Sequence, residues 1–107
     1  MLTKDLTKEL FLESLETKFR LGTEPSRSIE LELIDLTEGV SNPGHEQFSL
    51  IFRGPLDYFL GQGTYHMEHD KMGEVDLFLV PVGQEQDGFR YEVIFNRLRK
   101  NSESPQT

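Results

Sequence analysis

The apolar positions near the start of the chain recur at the spacing of a helix. Leu6, Leu10, Phe11 and Leu15 form one stripe, and Lys4, Lys8, Glu9 and Glu13 fall on the other side. Thr3 or Thr7 can offer an N-cap oxygen and neither Gly nor Pro interrupts, so one short amphipathic helix is predicted at about 3–15. From Thr17 the period drops to two: Phe19 and Leu21 alternate with Lys18 and Arg20 until Gly22-Thr23-Glu24-Pro25 breaks the run. A second strand is predicted from Ser28 to Thr37, with Ile29, Leu31 and Leu33 on one face and Glu30 and Glu32 on the other. Ile34 then follows Leu33 directly and Leu36 keeps the new phase. That slip predicts a β-bulge or a sharp bend, as in a sheet that curls.

The stretch from Gly39 to His45 is built from turn formers and is expected to be an exposed, mobile loop. Phe48, Leu50 and Phe52 then alternate with Gln47, Ser49 and Arg53 before Gly54-Pro55 ends the strand. Leu56 to Leu60 reads as a short helical turn or a coil with buried aromatics, and Gly61 and Gly63 lead into a strand from Thr64 to His69. After Asp70-Lys71-Met72-Gly73, Val75, Leu77 and Leu79 share one face while Phe78, Val80 and Val82 occupy the other, a pattern that predicts a centrally buried strand. Asp87-Gly88 is a strong hairpin signal, and Phe89, Tyr91, Val93 and Phe95 point inward along the last strand.

About six strands joined by short turns, with one helix in front and no β–helix–β alternation, predict an all-β fold. The expected architecture is a small antiparallel barrel or strongly curled sheet, since closure removes the open edges that invite aggregation. A chain of 107 residues supplies one hydrophobic core, so residues 1–97 are expected to form a single domain and 98–107 a flexible tail without an apolar anchor.

Composition narrows the classes of function. The chain has no Cys, which excludes disulfides, thiolate metal sites and cysteine nucleophiles. Acidic residues arrive before any apolar run could form a signal-peptide core, and the stretch from Leu77 to Val82 is far shorter than the roughly 20 residues of a membrane helix. A soluble cytoplasmic protein is therefore expected. The net charge of −8 is unevenly spread, because residues 21–96 hold four basic and fourteen acidic groups, or −10. Such a body repels phosphate backbones and anionic headgroups, so neither nucleic acid nor membrane is an expected partner, and the short Arg97, Arg99, Lys100 cluster is too small to reverse this.

Several words in the sequence resemble a known family. These are Phe48-Ser49-Leu50-Ile51-Phe52-Arg53-Gly54-Pro55, Gln62-Gly63-Thr64-Tyr65-His66-Met67-Glu68-His69, the run from Gly73 to Val82, and Tyr91-Glu92-Val93-Ile94-Phe95-Asn96. In this order they are similar to a family of small bacterial proteins of about 100 residues classed as a domain of unknown function, over roughly residues 3–97. The resemblance implies no mechanism. It implies an accessory role in an assembly, beside proteins resembling phage tail-collar or tail-fibre domains.

Candidate chemistry is sparse. His66, Glu68, His69 and Asp70, with His45 elsewhere, come nearest to a metal cluster, but strand parity sends His66 and Glu68 to one side and His69 to the other with Tyr65 and Met67. A closed zinc site takes four converging ligands, so no metal and no cofactor are expected. Nucleophilic catalysis lacks a Gly-x-Ser-x-Gly elbow or a helical His-Glu-x-x-His, and Glu30 with Glu32 reads as a wet strand face rather than an acid/base pair, so no enzyme is expected. Gln62 lies between Gly61 and Gly63, but no helix N-terminus follows to complete an anion site.

Arg53 at a strand end could grip a partner carboxylate, or pair with one of the many carboxylates of the body. Tyr58, Phe59 and Leu60 either plug the barrel end or face a partner. The leading expectation is a non-catalytic protein-interaction or assembly module that binds a protein partner through loops 39–46 and 54–63. Its candidate partner-binding residues are Arg53, Tyr58, Phe59, Leu60, Gln62 and Tyr65. The alternative is a small-ligand-binding β-barrel anchored by Arg53 and Tyr65, with an enzyme third. A homo-oligomer is permitted but not required.

Overall fold

A computed structural model describes residues 6–23, 27–39 and 45–98. The expected loop 39–46 is therefore described only at its ends, and the expected tail lies outside the described residues apart from Leu98. The chain runs α1 (Lys8–Glu13), β1 (Lys18–Thr23), β2 (Arg27–Glu38), β3 (His45–Gly54), β4 (Gly63–His69), β5 (Gly73–Glu85) and β6 (Gly88–Leu98). All pairings are antiparallel, and the strands close into a barrel in the order β1-β2-β3-β6-β5-β4. Period-two alternation fits the closure, because Phe19, Leu31, Leu50, Phe52, Met67, Leu79 and Tyr91 all turn inward and a sheet rolled on itself gives them a common interior.

The helix is shorter than the stripe of leucines suggests. Thr7 is the N-cap, its Oγ1 accepting from the Leu10 N–H at 3.1 Å. The helix stops at Ser14, whose Oγ donates back to the Leu10 carbonyl at 3.0 Å, and Glu16 then adopts a left-handed φ of 67°. That turn hands the chain to the sheet, with the Glu16 N–H on the Leu33 carbonyl at 2.7 Å and the Leu33 N–H on the Thr17 carbonyl at 3.1 Å. Phe11 anchors α1 over one barrel end, 5.4 Å from Phe95 and 6.2 Å from Phe48 by ring centroids.

Two register shifts bend the barrel. The first falls between Leu33 and Asp35, where the apolar phase slips at Ile34, and it returns Leu36 to the core side. The second, between Pro81 and Gly83, was not expected; Pro81 lacks an N–H for the ladder, and Val82 is left half exposed. The expectation that β5 is buried on both faces needs correction. A single-layered barrel has one interior, so Val75, Leu77 and Leu79 fill it while Phe78 and Val82 face outward at 48 % and 50 % exposure.

Candidate functional site

The sequence-predicted residues gather at the barrel end opposite α1, where β3 stops and loop 55–62 crosses to β4. Gly54 ends β3 where no side chain fits: a Cβ there would lie 2.7 Å from Leu31 Cδ2 and 2.9 Å from Tyr91 Cε2. Gly88 faces it with a φ of 149°, and a Cβ on Gly88 would come within 2.4 Å of the Gly54 carbonyl oxygen. Pro55 then supplies no ladder donor, and the chain leaves the sheet.

The loop divides its apolar side chains between inside and outside. Leu60 plugs the barrel, buried to 3 % exposure, and its N–H donates to the Tyr91 hydroxyl at 2.9 Å. Tyr91 is itself fully buried, and desolvation pushes its phenol above the ordinary value. Phe59 stays 56 % exposed and rests edge-on against Phe89 at 5.1 Å, with Leu56 exposed nearby in the chain. Tyr58 is half-buried beneath the Arg27 guanidinium, 5.2 Å from its ring centroid, while Arg27 also bonds Asp57 at 2.9 Å. Tyr65 donates its hydroxyl to the Gly61 carbonyl at 2.7 Å, and Gln62 is exposed. Of the six candidates, Phe59 and Gln62 present themselves to solvent, whereas Leu60 is buried in the barrel end.

Arg53 is engaged within the protein. Its guanidinium binds Glu32 through Nη2 and Asp87 through Nη1 at 3.1 Å, and Arg90 reaches Asp87 at 2.9 Å. Glu32 and Asp87 hold Arg53 still more firmly protonated, and Arg90 and Arg53 hold the Asp87 carboxyl below the usual carboxylate range. Arg53, Glu32 and Asp87 line an open groove of about 590 Å³, where Lys18–Glu30 and Arg27–Asp57 form further pairs. Every cation lining the groove already has a carboxylate, so it offers a lattice of ion pairs rather than a vacant anion grip.

The histidines separate as parity requires. His66 is exposed and sits between Asp76, 2.6 Å from Nδ1, and Glu74, 3.3 Å from Nε2; those carboxylates, Asp76 first, raise its pKa. His69 turns inward at 6 % exposure, stacked on Phe19 at 4.3 Å. Its Nδ1 accepts the N–H groups of Lys71 at 3.0 Å and Met72 at 3.1 Å, which places the proton on Nε2, where it is donated to Thr17 Oγ1 at 2.7 Å. Thr17 in turn donates to the Ser14 carbonyl at 2.6 Å. Desolvation lowers the His69 pKa, and both ring nitrogens are committed to the neutral form. Among the described residues, no group of three or more His, Cys, Asp or Glu is placed to hold a metal ion.

Sequence reasoning missed a second surface. On the outer wall the register sets Ile51 opposite Glu92 and Glu92 opposite Val80, with Ser49 opposite Ile94 one row on. Ile94 is 58 % exposed and Phe78 48 %. The available signal was Ile94 itself, an apolar residue in the outward phase of β6 between Glu92 and Asn96.

Together these features define a class: a closed six-stranded antiparallel barrel with an apolar interior, capped at one end by a helix and at the other by a plugging loop. A family profile matches residues 6–95, and the chain belongs to that family, described as Domain of unknown function (DUF6916). No curated protein and no solved structure matches the chain.

Proposed function

We propose that this domain is a non-catalytic protein-interaction module, an accessory piece of a larger assembly. The observation that carries the reading is the contrast between inside and outside. The interior is packed with Phe, Leu, Val and Met side chains, while Phe59, Leu56, Phe78 and Ile94 are left largely exposed. A ligand-binding barrel needs a concave apolar chamber with a few convergent polar groups. The groove around Arg53 is instead open and charged, and its cations are paired. Exposed aromatics are what a protein interface uses as anchors.

The Phe59–Phe89 contact and Leu56 form the first interface to test, since Phe59 can be truncated without opening the core. Affinity capture from the source cell is compared for the wild-type chain and for Phe59→Ser with Leu56→Ser. Loss of a defined partner from the variant, with unchanged thermal unfolding, is the expected result. Recovery of the same proteins in the same amounts by both would remove the barrel end from the reading.

A further inference from the structure

Resting on that interaction reading, we infer that the outer wall of β3, β6 and β5 docks an amphipathic helix of another protein that carries one lysine or arginine inside its apolar stripe, with Glu92 receiving the cation. Glu92 is half-buried at the centre of an apolar row, Ile51 on one side and Val80 on the other, with Ile94 two residues along its own strand and Phe78 two residues beyond Val80. Among the described residues its carboxylate makes no hydrogen bond and no ion pair. This is not for want of cations nearby. Arg90, two positions away on β6, is spent on Asp87 and the Gly88 carbonyl, and Arg53 on the adjoining strand is spent on Glu32 and Asp87. A carboxylate partly withdrawn from water and flanked by Ile51 and Val80 is costly to cover with an apolar surface and favourable to cover with one that brings a positive charge.

The local shape suits such a side chain. Beside Glu92 lies a depression of about 170 Å³, bounded by Thr37, Ser49, Glu92 and Ile94, because Ser49 is too short to fill its place in the outward row. The aliphatic stem of a lysine or arginine can lie over Ser49 against Ile94 while its head reaches Glu92. A helix is the occupant the fold favours, since the barrel is closed along β3, β6 and β5 and offers a face there rather than a free edge. A second copy of this chain is disfavoured on charge. A two-fold contact would set this face, Glu92 included, against itself on bodies whose residues 21–96 each carry −10, from four basic and fourteen acidic groups.

The test uses the full chain and two synthetic amphipathic helical peptides that differ only at the centre of the apolar stripe, one with Lys and one with Glu. Affinity is read by fluorescence anisotropy and location by amide chemical-shift mapping. The Lys peptide is expected to bind about tenfold or more tightly than the Glu peptide, with shifts centred on Ser49, Ile51, Val80, Glu92 and Ile94. Glu92→Gln should remove the preference, and Glu92→Lys should reverse it toward the Glu peptide. Phe59→Ser should change neither. Equal affinity for the two peptides, no measurable binding of the Lys peptide, or shifts confined to the 55–62 loop would overturn the inference. So would self-association in sedimentation that Ile94→Ser abolishes. If Phe59→Ser loses its captured partner while the Glu92 variants behave as wild type towards the peptides, the interaction reading survives and the wall does not serve it.

Discussion

The barrel is closed by two very different seams. Where β3 meets β6, every residue from His45 to Gly54 faces a partner, from Leu98 back to Phe89. Where β1 meets β4, the register holds Arg20 opposite Glu68 and, among the described residues, nothing else. At the first seam the backbone ladder and the inward faces of Phe48, Leu50, Phe52, Tyr91 and Val93 reinforce each other. At the second, side chains substitute for the ladder: Thr17 bonds His69, Phe19 stacks on His69, and Arg20 pairs with Asp70 at 3.1 Å. The difference teaches that barrel closure is not one property. A strand can be shut by cross-strand hydrogen bonds or pinned by a few side chains, and the second kind depends on the protonation and packing of those few groups.

The largest effect should come from the dense seam. Leu50 is fully buried between two well-registered neighbours, so Leu50→Ala leaves a cavity the walls cannot close and should cost about 3–5 kcal/mol in urea unfolding. Leu21 on β1 is also buried, but its strand stands free of β4 beyond Arg20 and has room to relax. Leu21→Ala should therefore cost nearer to 2 kcal/mol, about the low end of the range for such truncations. Equal losses at the two sites would break the contrast between the seams.

The next effect belongs to the side-chain clasp. His69→Phe keeps the stacked ring on Phe19 but strands the N–H groups of Lys71 and Met72, and should cost about 1–3 kcal/mol. The clasp should also respond to acid. The folded protein holds His69 below the ordinary imidazole value, so the unfolded chain takes up more protons. The stability His69 provides is therefore present above about pH 6.5 and lost as pH falls from there toward the folded pKa. His66 works in the opposite sense: its raised pKa gives stability below about pH 6.5 that is lost as pH rises through the folded value. Urea unfolding between pH 8 and 5.5 is accordingly compared in a His66→Gln background, with and without His69→Phe. The loss of stability on acidification should shrink when His69 is replaced; an unchanged slope would show that the clasp does not titrate.

How much of this could be read from the sequence follows the same division. Alternation separates inside from outside, so the inward faces of β1, β2, β3 and β6 were legible residue by residue, and so was the bulge at Ile34, where the alternation visibly slips. The hairpin at Asp87-Gly88 was legible because its turn chemistry is local. Period two says nothing about which strands are neighbours, so the pairing of β3 with β6 and the thinness of the β1–β4 seam were not. The site divided likewise. The acidity of the body makes local carboxylates available to hold Arg53, but the division of Phe59 from Leu60 depends on which of two adjacent side chains meets Tyr91. Glu92 looked like any outward acid until the register set Ile51 and Val80 beside it.

The smallest effect on stability should be the most telling about the seams. Arg20 and Asp70 form an ion pair whose side chains are 37 % and 89 % exposed, and removing such a pair costs at most about 1 kcal/mol. Arg20→Ala should thus barely move the unfolding midpoint. It nonetheless removes a side chain at the one registered position of the seam, next to the strand that departs from β4. Local opening is governed by local contacts rather than by total stability, so amide exchange in Gly63 to His66 of β4 should quicken in the variant while β3 and β6 keep their wild-type protection. If the β4 amides in wild type were as slow to exchange as those of Leu50 and Val93, the two seams would be equally shut, and the side-chain clasp around His69 would be ornament on a barrel already closed by its backbone.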